Sequence, residues 1–465
     1  MAQCDWRPAV AYGAEPLWQR LVDALAVDIA QGALRSGTRL PPHRELAHQL
    51  GVAVGTISRA YAEAERRGLV ESHVGRGTFV VERRAERLAH RPSGQRINLG
   101  MNVPPIGPAL AVARDTLEAL ARRDDVGAVF DYTFTAGLPV IREAAARWLR
   151  EKGGVSGAEA ERVIQTNGGQ QALMLALSSL ARAGETVLCD VATYPGNLTM
   201  AEHGGWRLHG VPADGRGMDP AALDRIAVET GARVVLLIPT LQNPTATTLD
   251  AARRGEIVEV ARKRDLVIVE DDVYRVFGRD NDPAPLAELA PERVVHVTSI
   301  SKALSPGLRV GFVLAPQNEA NFERLLLAAQ AMAYCPPAAG GLIFAEWLAN
   351  GMADRILEGV RSEVARRQEL ARCILGDAVA EPASLRSPHL WLPMDAERAG
   401  RVYDTALRAN VELTPPEAPF VDRAAISGLR VCLGTPLEFE ALERGLGVVR
   451  DALDAAHRGN TRGVV

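Results

Sequence analysis

The residue best suited to covalent chemistry is Lys302, in the run Ser299-Ile300-Ser301-Lys302-Ala303-Leu304-Ser305-Pro306-Gly307-Leu308-Arg309-Val310-Gly311. It comes shortly after the apolar stretch Val294 to Val297, which reads as a buried strand. An amine placed there can form a Schiff base with an aldehyde cofactor, provided its ammonium pKa is lowered. The chain has three lysines, Lys152, Lys263 and Lys302. Lys152 sits in a polar Glu-Lys-Gly-Gly turn and Lys263 in the Arg-Lys-Arg end of a helix, so both read as surface residues. Lys302 alone has a setting in which the chemistry makes sense.

The amino-terminal segment points to a different chemistry. Residues 1–97 hold fourteen Arg and no Lys against ten Asp or Glu, about +4, whereas the whole chain carries −4. A basic module on an acidic body suits an anionic partner for the first part only.

The elements that must position these residues fall into two sets. Leu17 to Gln31 carries an apolar stripe at helical spacing, and Gly37 with Pro41-Pro42 breaks it. A second helix is expected over His43 to Leu50, ended by Gly51, and a third from about Val54 to Arg67, ended by Gly68. Leu69–Glu71 and Thr78–Glu82 then alternate as a hairpin around Gly75-Arg76-Gly77. That order is a winged helix-turn-helix, assigned to residues 1–82. An Arg-rich linker containing Pro92-Ser93-Gly94 is expected over 83–97.

From Asn98 onward, short apolar runs alternate with amphipathic helices such as Asp250 to Arg264. The runs Val187–Cys189, Val234–Ile238, Leu266–Val269, Val294–Val297 and Val310–Leu314 predict an α/β domain over 98–465 with a largely parallel sheet. From about Gly340 to the end, long helices mix with strands at His389–Leu392 and Leu429–Leu433, a smaller α+β subdomain.

Two blocks carry resemblances. Arg39-Leu40-Pro41-Pro42-His43-Arg44-Glu45-Leu46-Ala47, with Gly68-Leu69-Val70-Glu71 and Gly75-Arg76-Gly77-Thr78-Phe79-Val80, resembles the GntR-type winged helix over roughly 15–82. The resemblance implies that the third helix enters the major groove. Thr56, Ser58 and Arg59 are then candidate base or phosphate contacts, joined by Arg44 and by Arg76 at the wing tip. The helix starts Ala53-Val54-Gly55 where many relatives have Ser-Arg, which shifts weight to phosphate contacts or to a partner half-site, and to salt-dependent affinity.

The second block, about Asn98 to Ala455, resembles fold-type I pyridoxal-phosphate enzymes of the aminotransferase branch. The resemblance implies pyridoxal 5'-phosphate on Lys302, with Asp271 on its pyridine nitrogen. Tyr274 and Asn243 are expected at the 3'-oxygen and Tyr194 stacked on the ring. Phosphate is expected on the amides of Gly168, Gly169 and Gln170 at a helix start, with Ser299, Ser301 and Arg309 completing the cup. Arg430 matches an arginine that grips a substrate carboxylate, and Tyr132 is expected near the phosphate of the partner subunit. Ala246 stands where many aminotransferases have Gly.

Together the two blocks resemble the MocR/GabR family of regulators. The resemblance implies a head-to-tail homodimer on double-stranded operator DNA that senses a small amine or amino acid by external aldimine formation. A working aminotransferase carrying a DNA-binding module stays open as an alternative. So does a sensor of pyridoxal phosphate alone. No run of about eighteen apolar residues and no secretory leader are apparent, and the five cysteines lack metal-ligand spacing. A cytoplasmic protein with reduced thiols and no metal is therefore expected.

Overall fold

The computed structural model describes every residue except 1–5, 7, 9–15, 31–33, 35–37, 67–68, 74–76, 81–95, 279–281, 318, 381–385, 422–425 and 461–465. The chain divides into two compact units, residues 1–94 and 95–465.

The first unit has three helices, α1 (Leu17–Ala30), α2 (His43–Leu50) and α3 (Val54–Arg66). Leu21 and Leu25 of α1, Leu46 of α2, and Ile57 and Tyr61 of α3 share one core. Gly51 ends α2 at φ +65, a left-handed conformation that lets its N–H cap the last turn. The hairpin β1 (Val70–His73) and β2 (Gly77–Val80) is antiparallel, and Arg39 bridges to Phe79 on its other edge. The expected hairpin is thus present with slightly shifted ends. The wing tip with Arg76, and all but the last two residues of the expected linker, lie outside the described residues.

The second unit opens with the short strand β3 (Ile97–Asn98). Its main sheet has seven strands: β4 (Val163–Thr166), β5 (Thr186–Asp190), β6 (Arg207–Val211), β7 (Val234–Leu237), β8 (Val267–Asp271), β9 (Val294–Ser299) and β10 (Gly311–Leu314). The order is β4-β10-β9-β8-β7-β5-β6, with β10 antiparallel to both neighbours and every other pairing parallel. Apolar cores cover the two faces, which is why the central strands read as continuous hydrophobic runs. Helix α4 (Gly169–Leu180) packs beneath one face, and α5 (Ala251–Arg264), capped by Asp250, lies between β7 and β8 in sequence.

The smaller subdomain does not begin near Gly340. Helix α6 (Ala338–Ala349) buries Leu342, Phe344 and Trp347 in the large core, where Phe344 meets Trp148 and Phe312. The boundary falls inside the next helix, α7 (Met352–Leu375): Val364 belongs to the large core and Ala371 to the small one. The small core is completed by β11 (His389–Pro393), β12 (Val411–Glu412), β13 (Gly428–Cys432) and α8 (Phe439–Asn460). It also recruits the start of the unit, since β3 pairs with β12 and Leu99 is buried among these residues. A buried helix has the same periodicity whichever core it joins, so sequence alone misplaces this seam. No helix among the described residues is long and apolar enough to cross a membrane.

Candidate functional site

The site forms at the carboxyl ends of β8 and β9, the end of a parallel sheet where ligands are usually held. Asp271 is the last residue of β8, and Lys302 lies just past β9 in a turn. The Lys302 ammonium donates to the backbone carbonyl of Asn102. Burial, and after it the positive charge of Arg430, brings Lys302 down to about 8. Its rivals are spent on ion pairs, Lys152 with Asp354 at 2.6 Å and Lys263 with Asp224 at 3.1 Å.

Asp271 is 4% exposed, and burial, then the neighbouring Asp272, pushes its carboxyl up to about 7. Its Oδ1 has no hydrogen-bond partner among the described residues. Such an orphaned buried acceptor is costly unless a ligand donor meets it. The Tyr274 hydroxyl accepts from Asn102 Nδ2 at 2.9 Å and more weakly from Asn243 Nδ2 at 3.4 Å, leaving its own proton to give away. Tyr194 donates to Gln170 Oε1 at 2.8 Å, and burial with the nearby Asp271 charge raises its pKa.

A cup faces the start of α4. Gly168 has φ +82, and a Cβ there would come within 2.5 Å of Arg309 Nη2. A Cβ on Gly169 would meet Ser299 at 3.4 Å. Ser299 Oγ lies 2.8 Å from Ser301 Oγ and 2.8 Å from the Val310 carbonyl, to which it donates. Arg309 is itself held by the Asn167 carbonyl at 3.1 Å. Gly168 supplies no side-chain cap, so the first amides of α4 face this cup unspent by the helix. The donor set fits a phosphorylated pyridine aldehyde: an amine, an unpartnered carboxyl oxygen, a phenol proton and an anion cup that a single Cβ would obstruct.

Arg430 departs from the simple expectation of a free carboxylate grip. It lies on β13 opposite Trp391 of β11, and its guanidinium already donates to three acceptors. Nη1 reaches Asn243 Oδ1 at 2.6 Å, and Nη2 reaches the Gly100 carbonyl and Thr414 Oγ1, both at 2.8 Å. Nε is buried without a partner among the described residues. Tyr132 is 79% exposed, and its ring meets Tyr334 at 5.2 Å. Ala246 adopts φ +60, the left-handed conformation that glycine would take without strain.

Sequence reasoning missed Asn102 and His389. His389 is buried, and burial followed by the Arg430 charge holds it down at about 3, so it is neutral. Its Nε2–H donates to the Gln242 carbonyl at 3.0 Å, and its Nδ1 accepts from Asn102 Nδ2 at 3.0 Å. No local motif marks either residue, because they meet across 287 positions of chain.

In the first unit, Arg44 and Arg59 are exposed, and Thr56 is partly so. The Arg59 guanidinium stacks 4.6 Å above the Trp18 ring. Ser58 Oγ is engaged by His43 Nδ1 at 3.0 Å, which ties α3 to α2. Tyr61 anchors the same corner through the Pro41 carbonyl at 3.0 Å.

Fold and site thus define a two-unit protein, a helix-turn-helix unit followed by an α/β unit whose site centres on the half-buried Lys302. The chain belongs to the aminotransferase class I and II family, whose model matches residues 95–438. Residues 17–80 match the model of bacterial regulatory proteins, gntR family. It is similar to an uncharacterized HTH-type transcriptional regulator, YdeF, of Bacillus subtilis (strain 168), 28% identical over 97% of both chains. The HTH-type transcriptional regulator TauR of Rhodobacter capsulatus is 29% identical, over 89% of this chain and 91% of its own. Among solved structures, the α-aminoadipate aminotransferase LysN of Thermus thermophilus, complexed with N-(5'-phosphopyridoxyl)-L-leucine, superposes with a TM-score of 0.70. It is 27% identical, over 78% of this chain and 93% of its own. The second unit therefore has the fold-type I aminotransferase fold.

Proposed function

We propose that the chain is a transcription regulator whose first unit binds double-stranded DNA and whose second unit holds pyridoxal 5'-phosphate to sense a small amine or amino acid. The observation that carries this reading is one chain joining a gntR-type helix-turn-helix to a half-buried lysine in charge contact with Asp271, whose Oδ1 is orphaned, and with Arg309 of a glycine-lined anion cup. When bound, pyridoxal phosphate supplies an aldehyde that condenses reversibly with primary amines.

The chain's own residues then divide the work. Lys302, its pKa brought down to about 8, would be the amine that holds the aldehyde. Asp271 accepts the ring N–H, and Tyr274 donates to the ring oxygen. Ser301, Arg309 and the amides at Gly168, Gly169 and Gln170 would hold the phosphate, with Ser299, its proton on the Val310 carbonyl, positioning Ser301, and Tyr194 would cover the ring. Arg430 receives an effector carboxylate through Nε or by giving up one of its three acceptors. Arg44, Thr56 and Arg59 face the duplex with Arg76 of the wing. A second copy of the chain, arranged head to tail, covers the exposed ring of Tyr132 together with Phe130, which is 88% exposed. An effector shifts DNA binding only by favouring one arrangement of the protein over another.

The test uses DNA fragments selected in vitro by the full chain and then titrated with primary amines and amino acids. A several-fold change in DNA affinity on adding one of them supports regulation. Unchanged DNA affinity, together with sustained keto-acid turnover, would transfer the assignment to an active aminotransferase.

A further inference from the structure

A cavity of about 370 Å³ lies beside the Lys302 site, between the carboxyl ends of β5 and β7 and the small-subdomain strand β11. Its walls include Asp190 of β5, Ile238 just past β7, Thr247 and Leu249 ahead of α5, and Trp391 of β11. Lys302, Asp271, Tyr274 and Arg309 do not line it. Cavities of a few hundred cubic ångströms with apolar walls and a few converging polar groups are the usual form of small-molecule sites.

Of the described residues, two acids line the cavity: Asp214 is exposed and already paired with Arg253 at 2.8 Å, whereas Asp190 is buried. It is 7% exposed, and its Oδ2 has no hydrogen-bond partner among the described residues. Burial pushes its carboxyl up to about 7, against hydrogen bonds from the Gln242 side chain and the Ile238 backbone that work the other way. With one oxygen left over in a lining that includes Ile238, Leu249 and Trp391, the carboxyl stays costly to ionise unless a further cation or donor joins it. Thr247 adds a hydroxyl to the same wall, and Gln242 and His389 form the partition from the Lys302 site.

We propose that this cavity is a second, noncovalent ligand site that takes a small protonated amine with an apolar body, its N–H directed to the Asp190 carboxyl. The site differs in kind from that at Lys302, because it recognises charge and shape without needing a condensable NH₂ group. Its occupant touches residues of both cores. The shared wall also leads to the first site: His389 holds Asn102, whose carbonyl takes the Lys302 ammonium.

The test is calorimetric titration of the full chain with N,N-dimethylbutylamine and N,N-dimethylphenethylamine. Both are protonated near neutrality, and as tertiary amines neither can form a Schiff base. At least one is expected to bind the wild type and Lys302→Ala with similar affinity. Binding should weaken by roughly ten-fold or more in Asp190→Asn, which removes a charge-assisted bond. It should vanish in Ala380→Trp, which fills the cavity from a different wall and leaves the carboxyl intact. Failure of both amines to bind the wild type at millimolar concentration overturns the proposal. So does binding that survives unchanged in Asp190→Asn and Ala380→Trp. Loss in Lys302→Ala alone would assign the amine to the Lys302 pocket, removing the second site and leaving the first.

Discussion

Arg430 and Asn243 meet side chain to side chain across the seam between the two cores, the guanidinium Nη1 donating to the amide Oδ1 at 2.6 Å. Both are buried, and the same arginine also holds Gly100 and Thr414. A planar fork can serve these divergent acceptors together, which a single ammonium cannot. Arg430→Lys should therefore raise the dissociation constant of a carboxylate-bearing effector by roughly ten-fold or more. The matching amine without a carboxylate should be affected far less. Equal losses for both would assign Arg430 a purely structural role.

Gly168→Ala should damage phosphate recognition selectively. The added Cβ enters a φ +82 conformation and runs against Arg309 Nη2, so it displaces the guanidinium from the cup. Affinity for pyridoxal phosphate should fall by roughly ten-fold or more, the scale of one charge-assisted hydrogen bond. Pyridoxal, which lacks the phosphate, should bind the variant and the wild type alike. A parallel loss for both compounds would place the phosphate elsewhere.

His389 should by itself cost the fold stability in acid. Its folded pKa, about 3, lies below the ordinary 6.5, so the unfolded chain binds a proton that the folded chain refuses. Its contribution is fully present above about pH 6.5 and is lost as pH falls from there toward 3, by at most about 1.4 kcal/mol per pH unit. Thermal unfolding of His389→Gln should show a shallower decline across that window. An identical slope would assign the acid sensitivity to other groups.

Ser58 and Arg44 should separate cleanly. Ser58→Ala removes the tie to His43 and should cost about 1 kcal/mol of stability without changing the salt dependence of DNA binding. Arg44→Ala should leave stability alone and reduce the slope of log affinity against log salt by about one. Salt titrations of both variants on one duplex check the pair.

Lys302 was legible because lysine is rare in this chain and the residue follows a buried apolar strand, two features visible in the sequence. The five named apolar runs all fall in the main sheet for a similar reason, since strands buried on both faces are uniformly hydrophobic. The edge strand β6, Arg207–Val211, alternates in exposure and escaped notice. Asn102 and His389 were invisible because their role is a meeting of distant segments, which no local spacing encodes. The crowding of Arg430 by Asn243, Gly100 and Thr414 was hidden likewise: its position suggested a ligand arginine, but not the acceptors it already holds.

The most direct test of a lysine-held cofactor is borohydride reduction of the protein loaded with pyridoxal phosphate, followed by peptide mass mapping. With three lysines in the chain, the expected result is a phosphopyridoxyl group on the peptide containing Lys302, absent from Lys302→Ala. Label on Lys152 or Lys263 instead, or no label on a correctly folded protein, would contradict it.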